Sequence, residues 1–321
     1  MTSGTSHTIA AARGLAALFL AVLVVLAAGA PARAVLSIDV TRGQLEPLPI
    51  AIPYFEGGPG TGSLARDIPD VIANNLASSG LFDPVDRNAF ITASLAVGAA
   101  PRFTDWRATG ADALVAGTVT QDGSGNLNVA VRLWDVVAQE EVLARQFTTR
   151  PDNWRRIAHI VSDAVYERLT GESGYFDTRV VFIAESGPKN QRVKRLAIMD
   201  QDGANLRYLT DGSTLVLTPR FSPTRQQITY MSYGEGVPRV YLLDLSTGRR
   251  EVIGDFPGMT FSPRFSPDGD RVIFSLQEGG NANIYEMDLG ARRPTRLTTS
   301  PSIDTSPSYS PDGRRIVFES D

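Results

Sequence analysis

The string PRFSPDGDRVIF at 263–274 occurs 44 residues earlier as PRFSPTRQQITY (219–230) and 44 residues later as PSYSPDGRRIVF (307–318). Other positions keep the same step. Asp200, Asp244 and Asp288 are in register, as are Tyr230, Phe274 and Phe318, and Tyr241 and Tyr285. A unit of this length cannot bury its apolar faces alone, so neighbouring units must stack. Four short β-rich runs fall within one period: SPRFS (262–266), RVIFSL (271–276), NIYEMDL (283–289) and TRLTT (295–299). This is the pattern of a β-propeller blade. In SPDG, Pro fixes φ, Asp bonds its own backbone and Gly accepts positive φ, which predicts a tight turn between the first two strands. The Asp at 200, 244 and 288 reads as a turn-capping residue.

By this register Val180–Thr210 forms the later strands of one unit, 219–253 and 263–298 form two more, and 307–321 opens a fourth. That is about three and a half blades, where closure takes about four to eight. The expectation is a propeller incomplete in this sequence; closure by dimerisation is the alternative.

Residues 35–172 have a different texture. LPIAIPYF (48–55) is a β-rich apolar run. In LARDIPDVIANNLASSG (64–80), Leu64, Ile68, Val71, Ile72 and Leu76 share a helical face and Gly80 stands where a C-cap belongs; Pro69 suggests a start near Asp67. ADALVAGTVT (111–120) and LNVAVRLWDVV (127–137) read as strands joined by the turn-rich DGSGN, and EVLARQFTT (141–149) continues the meander. NWRRIAHIVSDAVYERLTG (153–171) is a helix with Ile157, Val161, Ala164, Val165 and Leu169 on its apolar stripe. The fold class expected is an α/β domain over 35–172, a hinge at 173–178, and an all-β partial propeller over 179–321.

The first 34 residues form a separate segment. MTSGTSHTIAAAR carries one positive charge and no acid, GLAALFLAVLVVLAAGA is an apolar run of 17, and Ala32 and Ala34 set an A-x-A pattern. This is the layout of a secretory signal peptide, with cleavage between Ala34 and Val35. An uncleaved anchor is the alternative, against a span of about 20 residues. Removing Arg13 and Arg33 moves the formal charge from −4 to −6, an acidic balance that argues against nucleic-acid binding. There is no cysteine, so disulfides, thiolate chemistry and cysteine lipidation are excluded. A soluble bacterial periplasmic protein fits these features.

Three motifs invite a chemical reading. Gly60, Gly62 and Ala65 match a dinucleotide fingerprint in spacing, with Asp83 or Asp86 about 20 residues on, yet the stretch also reads as a plain connection into a helix. As a P-loop it fails, because Ser63 stands at the lysine position. DQDGAN (200–205) opens like a calcium loop, but Asn205 and Asp211 occupy the Gly and Glu positions of an EF-hand, and the repeat makes it a hairpin turn. A hydrolase has little to build on: there is no G-x-S-x-G, and His159, alone in the mature chain, reads as a surface or boundary residue of a helix. No cofactor, metal site or catalytic residue is expected.

Several stretches together resemble the TolB family of the Tol–Pal system: the signal peptide, VLSIDVTRG, LPIAIPYFEGGPG, LASSGLFDPVDR, ADALVAGTVT, the helix ending YERLTG, and the FSPDG units. The resemblance covers essentially the whole mature chain, and GLFDPVDR (80–87) is its more specific part. It implies an α/β domain followed by six blades, of which about 120 residues would lie beyond this sequence. It also implies a periplasmic protein-binding adaptor linking TolA and the inner membrane to the outer-membrane lipoprotein Pal, supporting envelope integrity and constriction at division. The alternative reading is a propeller-containing peptidase or ligand-binding propeller.

Two segments are candidate partner sites. Leu215, Val216 and Leu217, then Met259, Thr260 and Phe261, then Ile303, Asp304 and Thr305 precede each P-x-[FY]-S-P. They read as unusually apolar loops at one face of the ring, or as part of the first strand. By resemblance this face meets Pal. In the mature N-terminus Leu36, Ile38 and Val40 alternate with Val35, Ser37 and Asp39, a short strand able to dock on its own protein or on another sheet edge. By resemblance this segment engages TolA, and Pal at the propeller shifts its docked and free populations.

Overall fold

The computed structural model describes residues 46–321, apart from 99, 235 and 255. The expected signal cleavage at Ala34 and the strand over 35–40 lie outside the described residues. The chain divides into two compact units, one ending at Gly174 and one running Tyr175–Asp321. No helix among the described residues is long and apolar enough to cross a membrane.

The first unit is built on one mixed sheet. Its strands are β1 (Leu48–Ala51), β2 (Glu56–Gly57), β3 (Phe82–Pro84), β4 (Ala113–Gln121), β5 (Leu127–Asp135) and β6 (Glu140–Thr149). The order is β3-β1-β4-β5-β6, with β2 beside β4. The β1 pairings with β3 and β4 are parallel, and the β4–β5–β6 meander is antiparallel. The DGSGN turn is held by Asp122, whose carboxylate accepts from the N–H of Ser124 and Asn126 at 2.8 and 2.9 Å.

Helices α1 (Leu64–Ser78) and α3 (Trp154–Thr170) pack on each other and on this sheet. Ile68, Ile72 and Leu76 of α1 and Val161, Val165 and Leu169 of α3 are buried. Each such side chain contributes roughly 1.5–3 kcal/mol on burial. The opposite face carries Ala51, Leu114, Trp134 and Val136, covered by Trp106 and Phe103 of the short α2 (Phe103–Ala108). Because both faces are covered, Ala113–Ala116 are all buried in sequence.

Pro69 does not delay α1 to Asp67. The helix starts at Leu64 and carries Pro69 inside it. The carbonyl that Pro69 cannot serve, that of Ala65, instead accepts from the N–H of Phe55 at 2.9 Å. A neighbouring strand end thus satisfies the group that a mid-helix proline leaves open.

The second unit consists of stacked antiparallel sheets. The first holds β7 (Arg179–Ser186), β8 (Val193–Asp200) and β9 (Arg207–Tyr208); the second β10 (Val216–Phe221), β11 (Gln227–Ser232), β12 (Arg239–Asp244) and β13 (Arg250–Val252). The third holds β14 (Met259–Phe265), β15 (Arg271–Glu278), β16 (Asn281–Asp288) and β17 (Arg293–Arg296), and β18 (Thr305–Tyr309) pairs with β19 (Ile316–Glu319). This is the partial propeller that the repeat predicts.

Strand β12 shows how the stack is held. Tyr241 and Leu243 join Leu196, Ile198, Ile228 and Tyr230 in the layer between the first two sheets. Val240 and Leu242 join Val272, Phe274, Leu276 and Met287 in the next layer. Alternate residues therefore serve opposite layers, as a period of two requires. The rings of Tyr230 and Tyr241 stack at 5.6 Å, and those of Phe274 and Tyr285 repeat the contact at 6.3 Å.

The turns follow their sequence chemistry. Ser266 and Ser310 hydroxyls donate to Asp268 and Asp312, and Gly269 and Gly313 take φ of 74° and 68°. Asp244 caps its turn, accepting from the hydroxyl and N–H of Ser246 and from the N–H of Thr247. These donors, the serine hydroxyl foremost, hold the carboxyls of Asp244, Asp268 and Asp312 below the usual range.

Two outcomes follow. A Cβ at Gly117 would clash with the Phe55 ring, well inside van der Waals contact, so Gly117→Ala should cost about 1–3 kcal/mol in urea unfolding, as overpacking does. A depressed folded-state pKa adds stability above the unfolded value, about 3.9 for Asp, and loses it as pH falls through the folded value. The urea midpoint should therefore hold between about pH 7 and 5 and fall below about pH 4. Asp244→Asn should flatten part of that fall.

Candidate functional site

The nine propeller-face residues singled out in the sequence lie at the entries to β10, β14 and β18, the first strands of three successive sheets. These strands neighbour one another in the stack. The three triplets are therefore brought side by side. Six of the nine lie within the strands, and Leu215, Ile303 and Asp304 lie in the connections just before them. Val216 and Leu217 pair with Ser232 and Met231, Met259 to Phe261 pair with Gln277 to Ser275, and Thr305 pairs with Glu319. Each first strand begins before the P-x-[FY]-S-P motif, so both placements open in the sequence occur: the Met259 triplet is wholly strand, whereas Leu215, Ile303 and Asp304 belong to the preceding connections.

The strand continues because its interruption comes later. Thr218, Ser262 and Ser306 have φ of 49°, 53° and 56°, one repeat apart, and each precedes a proline. The ladder shifts register there, between Leu217 and Arg220, Phe261 and Arg264, and Thr305 and Ser308. This is a β-bulge repeated in all three of these strands, β10, β14 and β18. Non-glycine residues in the left-handed region store local strain. Proline, lacking an N–H, fits a position whose ladder bond is already broken. Sequence reading missed the bulge because no glycine or asparagine marks it.

Within the triplets, burial follows the strand period. The middle positions, Val216, Thr260 and Asp304, are all buried. They join the sheets to one another: Thr260 donates its N–H to the Pro238 carbonyl at 3.1 Å, and Asp304 repeats this with Ala282 at 2.9 Å. The Thr260 hydroxyl oxygen also accepts from the N–H of Val240 at 2.8 Å. The Asp304 carboxyl is held below the usual range by the hydroxyls of Thr298, Ser320 and Ser300, against the opposing effect of burial. The flanking positions are more open. Leu215 and Ile303 are 40% and 48% exposed, and Leu217, Met259, Phe261 and Thr305 are half-buried.

The remaining motifs are accounted for by local structure. The loop before α1 packs on its own residues: the buried Thr61 donates its hydroxyl to the Gly58 carbonyl at 2.8 Å, and Gly60 and Gly62 have positive φ. DQDGAN is a hairpin turn, with the Asp200 N–H on the Ala204 carbonyl at 2.9 Å and Gly203 at φ 86°. His159 is not at the surface or boundary of its helix. It is 2% exposed, and its Nδ1 lies 2.9 Å from the Asn75 amide nitrogen, which also donates to the Ser162 hydroxyl at 3.0 Å. The polar trio lets α1 and α3 pack closely at a point where the sequence offers no apolar residue, and Asn75 is too distant in sequence to announce it.

Two family models match the chain, the TolB amino-terminal domain over residues 36–142 and the TolB beta propeller domain over residues 166–321. The crystal structure of TolB from Acinetobacter baumannii is similar, with a TM-score of 0.74 and 32% identity, over 89% of this chain and 69% of that one. The chain belongs to the TolB family. A curated relative, the Tol-Pal system protein TolB of Paramagnetospirillum magneticum, is 55% identical over 245 residues. The match takes in 76% of this chain and 55% of that relative, so the chain spans about half the length of the curated TolB it matches.

In this TolB-family chain the bulge can be tested directly. Ser262→Gly removes a Cβ from a left-handed position and should raise stability or leave it unchanged, whereas Ser262→Val should cost about 1–3 kcal/mol. Urea midpoints of the two variants check this.

Proposed function

We propose that this chain is a protein-binding component of the Tol–Pal system, working in the periplasm without a catalytic step. In this reading it links TolA and the inner membrane to the outer-membrane lipoprotein Pal, and so supports envelope integrity and outer-membrane constriction during division. Membership of the TolB family is the observation that carries it. The geometry of the first strands supports it: three adjacent entries present Leu215, Leu217, Met259, Phe261 and Ile303 at least partly open to solvent, over middle residues that are locked in place. Apolar groups on a rigid base suit a protein partner better than a small polar ligand. We assign the Pal-facing role to these residues and the TolA-facing role to Val35, Leu36, Ser37, Ile38, Asp39 and Val40.

The test is a pull-down of the full exported gene product from gently solubilised envelopes, with partners identified by mass spectrometry. A peptidoglycan-associated lipoprotein should be recovered. Leu215→Asp with Ile303→Asp should reduce its recovery about tenfold or more, as loss of central apolar contacts does. Val137→Asp, at an apolar residue 63% exposed in the other unit, should not. Deleting 35–40 should remove TolA and leave the lipoprotein. Capture of no envelope protein by the folded wild type would overturn the reading.

A further inference from the structure

The first strands carry a second feature, distinct from the apolar entries. Immediately after the bulge proline, β10 and β14 each place an arginine, Arg220 and Arg264, opposite Thr229 and Ile273 in register. The equivalent residue in β18 is Ser308, opposite Val317. All three line one cavity of about 310 Å³, together with Tyr309 and the prolines of the three turns.

Among the described residues no acidic side chain lines this cavity. Among the described residues neither arginine forms an ion pair, and the nearby acids are engaged elsewhere: Asp270 with Arg225, Asp268 with Ser266 and Arg271, and Glu286 with Arg271 and the Tyr309 hydroxyl. Each guanidinium gives one N–H to the carbonyl of the proline before it, Arg220 to Pro219 at 2.8 Å and Arg264 to Pro263 at 3.1 Å. That bond steadies the planar group and leaves most of its five donors unspent. Partial burial pushes both groups below the usual arginine range, and the charge of Arg220 adds to the effect at Arg264. Two like charges thus share a recess that, among the described residues, supplies hydrogen-bond donors and no counter-charge.

We propose that this cavity is a seat for an oxyanion, a carboxylate or phosphate group held between Arg220 and Arg264, with the Ser308 hydroxyl as a further donor. Guanidinium forks match such groups in both charge and geometry. The seat does not depend on the Tol–Pal reading, and its anion could arrive free or as an acidic side chain of a peptide.

The test uses the full gene product at low ionic strength, where charge pairing is least screened. Calorimetric titrations with inorganic phosphate, citrate and a capped glutamate-containing peptide should give saturable binding of at least one probe. A preference of about tenfold or more for the peptide identifies a protein-borne carboxylate, and the reverse a free anion. Arg264→Gln should weaken binding about tenfold or more without lowering the thermal midpoint, because it relieves repulsion in the empty site. Should that variant fail to fold, Arg264→Lys keeps the charge, loses the fork, and should bind more weakly than wild type. No binding of any probe by the folded protein would overturn the proposal. Equal affinity in wild type and the folded variant would overturn it as well.

Discussion

The second unit depends on one constraint: no sheet in it can bury its own faces. The layer that holds Tyr230 and Tyr241 takes Leu196 and Ile198 from the sheet before, and the layer around Phe274 takes Val240 and Leu242 in the same way. The 44-residue period is the sequence expression of this mutual cover. Turns, caps and inter-sheet hydrogen bonds then set how each sheet meets the next.

The bulged first strands translate that stacking into a surface. Thr260 and Asp304 bond across to the preceding sheet, which fixes the spacing of neighbouring entries. Leu215 and Ile303 are displayed from a base that is already in place. Past the bulge the same strands turn Arg220 and Arg264 to a common recess. Two chemically different surfaces thus arise from one strand, separated by a single left-handed residue and a proline.

Legibility in the sequence followed the range of the interaction. The repeat, the SPDG turns, the Asp caps and the main helices and strands were readable because each rests on spacing or on residues a few positions apart. Helix α2 and strands β2 and β3 left little signal; they are short, and β3 is set by pairing with β1 across more than 30 residues. Pro69 misled because the group that relieves it, the Phe55 N–H, comes from another element. His159 misled for the same reason, its partner Asn75 lying on α1. The candidate site was legible as an apolar column. The arginine pair was not, since a lone Arg inside P-R-F-S-P has no visible neighbour until the strands are laid side by side.

The double burial of β12 also bears on how the propeller keeps its strands aligned. In a sheet with one wet face, a one-residue slip exposes every apolar side chain, and polarity alone enforces register. On β12 both faces of Val240–Leu243 are dry, so a slip would not simply trade a buried face for a wet one, though it would draw Arg239 or Asp244 toward the buried stretch. It would instead exchange the Tyr241 and Leu243 column with the Val240 and Leu242 column, driving a ring into the space shaped for valine and leaving a void beside Tyr230. Alignment in these middle strands is therefore enforced by volume, and the paired rings serve as keys that fit only one way round.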